Sequence, residues 1–467
     1  MKFEATFSEI LQEALKSWAS RRIEESILSF ALPINNIDPL LQLPFISDHQ
    51  EFSFLWDLAP ELCIAAAGKC QNFELVGPRR FELAQRFTDE TFKRLIDGTF
   101  DTPMHAKPRI LYAFTFFEQT SELIRDQEID PALQAILPSW QLTSKEGLGW
   151  LRLNAVVSQE ADVRDFAEKL WSMWKKLEKL ASQNISYLRN FDVSTSDSED
   201  WETNYRLSLK KAIELVELEQ LKKIVLAVKQ SIHLREPFDP LIILNGLRDY
   251  QPGSCRFLWQ RSNRKTFFGA SPERLLSISQ DQMITDALAG TALLGDKADG
   301  LLNSEKDLRE HQVVVSSIKK ELMKTGLLPI CPDKPCLAKH GHLVHLHTPI
   351  TSELKDQFPL QLLNALHPTP AVAGLPRDQA LNWLRTLESF DRGLYAAPIG
   401  WIDTSNNAEF RVAIRCGYAF EKKIDLFAGA GLVKGSLLED ELEEVRLKLA
   451  VLADQIFFQS RFLGKVF

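Results

Sequence analysis

Strand-like and helix-like patterns follow one another along this chain without a fixed rhythm, and that irregularity limits the folds open to it. Short apolar runs suited to strands occur at 224–228, 266–269, 343–347, 397–402, 409–418 and 424–428. Between and before them, apolar residues at helical spacing predict helices. The first of these is 158–186, where Phe166, Leu170, Met173, Trp174 and Leu177 share a face. Others are predicted at 205–222, 304–324, 376–387 and 438–458. A strict βαβ alternation would build a doubly wound parallel sheet. This order predicts an α+β protein instead.

Composition narrows the function. The 467 residues could hold two or three average domains or one large layered one. An apolar share of 45% is ordinary for a globular protein and excludes a disordered tail. The 55 basic and 63 acidic residues leave a formal charge of −8 with no basic block. A general nucleic-acid binder is thereby excluded. A small anion can still be bound, provided cations are concentrated locally. Six cysteines are scattered with no CxxC pair, as in a reduced intracellular protein. The first eighteen residues are amphipathic and carry acids, so they read as neither a signal nor a transit peptide. No apolar run reaches the roughly 18–20 residues that cross a bilayer. A cytoplasmic protein without a membrane partner is expected. The polar stretch 192–204, DVSTSDSEDWETN, reads as an exposed loop that separates a first portion, 1–204, from a second, 205–467.

Several residues admit both a structural and a chemical reading. Glu310, Val314 and Ile318 lie at i, i+4 and i+8, so Glu310 shares a stripe with core residues. Taken alone, it is an acid at the edge of the apolar face reaching water. Glu441, Glu444 and Lys448 form a charged stripe that fits a solvated face with an i,i+4 pair. Acids leaning inward from two such helices would suit Mg²⁺, which takes few carboxylates and keeps waters or substrate oxygens. Lys223 is either a helix-end cation or the first residue of a buried strand, where lost hydration would make it a possible base. FAGAGLVKG has GxGxxxG spacing and no acid about twenty residues on, so a nicotinamide site is not supported. Its glycines instead allow close backbone approach to something small. His345 and His347 would share a strand face, but no HExxH or cysteine pair completes a zinc site. GASPERL contains no GxSxG elbow of a serine hydrolase.

Together these segments resemble the chorismate-utilising enzymes. The matching pieces, in order, are KIVLAV, FFGASPERLL, ALAGTALLG, SEKDLREH, HLHTP, LHPTPAVAG, FDRGLYAAPIGW, FRVAIRCG, FAGAGLV and ELEEVRLKL, spanning 223–449. Upstream, FSFLWDLAPELCIAAAG resembles the family's early segment, while the rest of 1–204 is divergent. The resemblance implies one large layered α/β domain with two stacked central β-sheets flanked by helices. Lys223 stands where ammonia-using members usually carry glutamine, Ala289 where aminodeoxychorismate synthases carry lysine, and HPTPA where both carry a PAGT-type segment. A water-using enzyme needs a base and an ammonia-using one does not. The combination therefore resembles the isochorismate synthases, and FDRGLYAAPIGW their quinone-pathway members.

What the resemblance implies can be carried over residue by residue. Lys223 would deprotonate a water attacking C2 of chorismate, and Glu273 would protonate the departing C4 hydroxyl. Glu310 and Glu444 would hold Mg²⁺, with Glu441 nearby, and the metal would bind the ring carboxylate. Arg415 and Tyr395 would bind the pyruvyl carboxylate, and Lys448 would help neutralise the dianion. Gly290, Thr291, Ala371, Gly429 and Gly431 would line the substrate, with His345 close behind. A base and an acid at one pH need opposite protonation, so the mechanism asks for a depressed Lys223 and for a Glu273 raised by an apolar part of the pocket. Val228 and Lys229 depart from the family, which commonly has an arginine there. The alternatives are a salicylate synthase, which goes on to eliminate pyruvate, and a catalytically silent chorismate-binding protein. No glutamine amidotransferase partner is expected.

Overall fold

Runs that bury nearly every residue become strands here, because both faces of the sheet are covered. The computed structural model describes residues 6–20, 25–98, 102–118, 130–181, 195–198, 200–262, 265–295 and 298–463. Among these residues the strands form two large sheets, one of thirteen strands and one of nine, with helices packed against them. Pairing is antiparallel in the strands that build the cavity described below. At one edge Ser26–Asn35 and Leu95–Asp97 run parallel. The layered α+β architecture expected from the sequence is the one observed.

Both sheets draw strands from before and after residue 204. Ser53–Asp57 pairs with Cys255–Ser262 in the larger sheet, and Arg109–Phe114 pairs with Pro398–Asp403 in the smaller. One apolar core runs from Ile10 to Ile456 and joins the two portions. A small second cluster holds Ala298, Leu301, Val344 and Leu346.

The predicted strand at 409–418 is in fact two, in different sheets. Ala408–Val412 belongs to the nine-stranded sheet and Cys416–Phe420 to the thirteen-stranded one. The break falls at Arg415, whose φ of 51° is left-handed and cannot continue a strand. The same change of sheet occurs between Lys265–Ser271 and Arg274–Ser279, across Glu273. The two crossings are tied together. The Ser271 hydroxyl donates to the Val412 carbonyl at 2.6 Å, and Val412 N–H donates to the Glu273 carbonyl at 3.1 Å. A Cβ on Gly269 would sit 2.6 Å from the Arg415 carbonyl oxygen, so only glycine allows this approach.

The seam at 192–204 is shorter than predicted. Residues 192–194 and 199 lie outside the described residues, as do 182–186 of the first predicted helix. Thr195–Ser198 pairs with the far end of Lys223–Leu234. Asp200 then caps the helix Trp201–Glu217, its side chain accepting from the N–H groups of Glu202 and Thr203. That cap, and the buried Tyr205 donating to the Leu226 carbonyl at 2.9 Å, start the helix four residues before the predicted 205. The helices Glu160–Ala181, Glu305–Lys324, Arg377–Leu387 and Leu438–Leu463 follow the predicted periodicity. Among the described residues no helix is long and apolar enough to cross a membrane.

Candidate active site

The two sheet crossings deliver Glu273 and Arg415 into one cavity. It has about 670 Å³ of empty space, counting its mouth, between the sheets and the helices Glu305–Lys324 and Leu438–Leu463. Lys223 enters from the start of its strand. The antiparallel partner strand, Lys423–Leu432, places Gly431 opposite Val225 and Gly429 opposite Ala227. FAGAG is thus a strand and not a dinucleotide loop. A Cβ on Gly431 would lie 2.6 Å from Glu310 Oε1, and one on Gly429 would lie 3.1 Å from the Tyr395 hydroxyl. These glycines let side chains from opposite walls meet the bare strand.

The cavity gathers thirteen of the fourteen residues singled out in the sequence: Lys223, Glu273, Gly290, Thr291, Glu310, His345, Ala371, Tyr395, Arg415, Gly429, Gly431, Glu444 and Lys448. Glu441 does not line it. It is buried beside Glu444 and accepts from Lys306 Nζ at 2.6 Å. The edge-of-helix reading of Glu310 is overturned, since Glu310 is buried and its carboxylate accepts from Lys223 Nζ at 2.7 Å. Nor are Glu444 and Lys448 a solvated face. Their pair, at 2.5 Å, looks into the cavity, and Lys448 also donates to the Gly429 carbonyl at 2.8 Å. Thr291 donates to Glu444 at 3.2 Å.

Electrostatics separate the two carboxyls that matter. Burial pushes Glu273 up to about 8, against the opposing field of Lys223, so it holds its proton near neutrality. Glu444 moves down. Burial opposes ionisation there, but Lys448, Lys306 and Arg415 outweigh it. Burial brings Arg415 down to about 10, where it is still a cation at neutral pH. Burial and the Arg415 charge hold His345 well below the usual histidine range, hence neutral. Its partners assign the tautomer: Nδ1 lies 3.1 Å from the Gly290 carbonyl and donates to it, while Nε2 accepts from Arg415 at 3.3 Å. Burial raises the Tyr395 hydroxyl above its ordinary value, and its ring stacks on Phe427 at 5.3 Å.

The donor chemistry fits a hard dication. Among the described residues no three His, Cys, Asp or Glu side chains converge to hold a metal. Mg²⁺ needs only one or two carboxylates, with waters and substrate oxygens for the rest. Glu310 and Glu444, from two different helices, both line the cavity and offer such carboxylates. Burial and the charge of Glu444 push the Glu441 carboxyl up to about 7, the mark of surplus negative charge in this corner.

Three features escaped the sequence reading. Lys306, one turn before Glu310, faces the same acids; its i,i+4 spacing was the available signal. The apolar walls Leu288 and Phe427 carried no local signal. Arg392 is fully buried, bonded to Glu388 at 2.5 Å and to the carbonyls of Val225 and Val372, and so braces the Lys223 strand from behind. Of the two departures noted in the sequence, Val228 packs into the core.

Comparison with known proteins identifies the family. The family described as chorismate binding enzyme matches residues 11–457. The salicylate biosynthesis isochorismate synthase of Pseudomonas aeruginosa is 38% identical over 57% of this chain, and the match spans 56% of that protein's own length. The isochorismate synthase MenF of Haemophilus influenzae is 33% identical over 93% of this chain and 94% of its own. The solved structure of MenF, the menaquinone-specific isochorismate synthase from Escherichia coli, superposes with a TM-score of 0.75, covering 96% of this chain and 99% of that one. At 24% identity it bears on the fold alone. A match along nearly the whole chain leads to one conclusion: the chain belongs to the chorismate binding enzyme family.

Proposed function

We propose that this chain isomerises chorismate to isochorismate with the help of Mg²⁺, and that the product feeds quinone synthesis. One observation carries the reading: Lys223 and a Glu273 that keeps its proton near neutrality share a cavity with Arg415 and Lys448. A hydroxyl-transferring enzyme needs that combination of base, acid and cations. The near full-length similarity to a protein named MenF supports the quinone assignment.

In the mechanism, Lys223 Nζ takes a proton from the water that attacks C2. Glu273 gives its proton to the oxygen leaving C4 on the other face. One water is added and one is lost while the ring double bonds shift, so the atoms balance as an isomerisation. Arg415 and Tyr395 hold the pyruvyl carboxylate. His345, accepting from Arg415, fixes the guanidinium in place. Lys448 reduces the dianion's charge, and the glycine-lined strand lets the ring lie against backbone. When bound by Glu310 and Glu444, with Glu441 beside them, magnesium supplies a Lewis acid and template for the ring carboxylate.

The test is incubation of pure protein with chorismate and Mg²⁺, followed by chromatography. Isochorismate should form, and Lys223→Ala or chelation with EDTA should remove it. Anthranilate formed with ammonium, or full activity in Lys223→Ala, would sink the proposal. Pyruvate and salicylate among the products would favour a salicylate synthase.

A further inference from the structure

Outside the catalytic cavity, three neighbouring strands bring together a thiol, an imidazole and a carboxylate. Cys336 lies on Cys336–His340, the edge strand of the nine-stranded sheet, and its side chain is exposed. It is the direct cross-strand partner of His347 on Leu343–Glu353. Cys336 Sγ is 3.7 Å from His347 Nδ1. His347 Nε2 is in turn 3.0 Å from Asp286 Oδ1, on the next strand inward, Gln282–Leu293. Asp286 is buried. Burial opposes its charge, but His347 and Arg274 more than offset this and keep it ionised. The thiol has one further contact, the His347 carbonyl at 3.4 Å.

From this geometry we infer that Cys336 is a modification site, a surface thiol activated by a His347–Asp286 relay toward peroxides and other soft electrophiles. The arrangement follows nucleophile logic: a thiol within reach of a base that a carboxylate orients. The reactive species is the thiolate, and an adjacent imidazole that accepts the proton favours it. With a peroxide, sulfur attacks one oxygen. An S–O bond forms and the O–O bond breaks; sulfur is oxidised to sulfenic acid and the peroxide is reduced to water. The thiol proton passes to His347 and then to the departing hydroxide. Four of the other cysteines lie in settings that suppress the thiolate. Cys255 and Cys416 are buried with thiols held well above the usual range, and Cys63 and Cys70 are raised as well, all chiefly by burial.

The experiment uses the full chain with iodoacetamide and, separately, hydrogen peroxide, reading each cysteine by peptide mass spectrometry over time. Cys336 of the native protein should react roughly tenfold faster than the same residue in the urea-unfolded chain, where the relay is absent. His347→Gln and Asp286→Asn should each lower the native rate toward the unfolded one. A native rate equal to or below the unfolded rate overturns the inference without any variant. So does an unchanged rate in folded His347→Gln.

Discussion

Burial pushes the Glu273 carboxyl up to about 8, and two consequences follow for that one residue. The acid must carry its proton to work, so activity should decline as pH rises through about 8; a pH profile of kcat/KM reads that limb. Glu273→Gln should lower kcat by roughly 10²–10⁴-fold, the usual worth of a general acid. The second consequence concerns stability. The folded pKa is raised above the ordinary 4.5, so the folded state keeps its proton over a range where the unfolded chain has lost it. The Glu273 contribution is fully present below about pH 4.5 and is lost as pH rises toward about 8. Thermal melts of wild type and Glu273→Gln should therefore diverge in favour of the variant across that window. Equal pH dependence in both would refute the assignment. Lys223 and Glu310 form a buried pair at 2.7 Å, so removing one partner leaves an uncompensated charge. Lys223→Met should cost about 3–5 kcal/mol in denaturant unfolding, and adding Glu310→Gln should recover much of it.

At the scale of elements, the site depends on places where strands stop or bend. Gly374 has a φ of 146° and pairs with Ile224, beside the residue that carries the base. A Cβ there would collide with the Lys223 carbonyl oxygen. Gly374→Ala should therefore destabilise the fold by about 1–3 kcal/mol and displace the Lys223 strand. Gly431→Ala tests a different property. Its Cβ would meet Glu310 Oε1, the movable end of a side chain, so the fold should survive. Turnover should fall at least several-fold with Tm nearly unchanged, and an equal loss of both would show the glycine to be structural instead. Periodicity made five helices and several strands after residue 157 legible, whereas the strands before it were not predicted. The helices bearing Glu310 and Glu444 stand close to their predicted bounds, whereas the strand predicted at 224–228 begins at Lys223 and runs on to Leu234. The break inside 409–418 was not legible, because its residues are as apolar as those of a continuous strand. A left-handed φ at an arginine leaves no mark in hydropathy.

For the whole molecule, the charge of −8 and the cavity have opposite tendencies. Arg415 and Lys448 line the cavity, so under the proposed function they offer local cations to a dianion within a chain of net negative charge. The fourteen candidate residues came from the sequence, most of them through resemblance of ordered motifs; local periodicity by itself favoured solvated acids at Glu310 and Glu444. What the sequence by itself determined was the α+β class, the long helices after residue 157 and the residue types present, because periodicity and side-chain chemistry are local. Tertiary structure alone decided protonation, pairing and the meeting of the two sheets. Burial of Glu273, the Lys306–Glu441 contact and the bracing Arg392 arise between residues far apart in the chain. Desolvation and charge proximity set their behaviour, and both depend on distances that exist only once the sheets have packed.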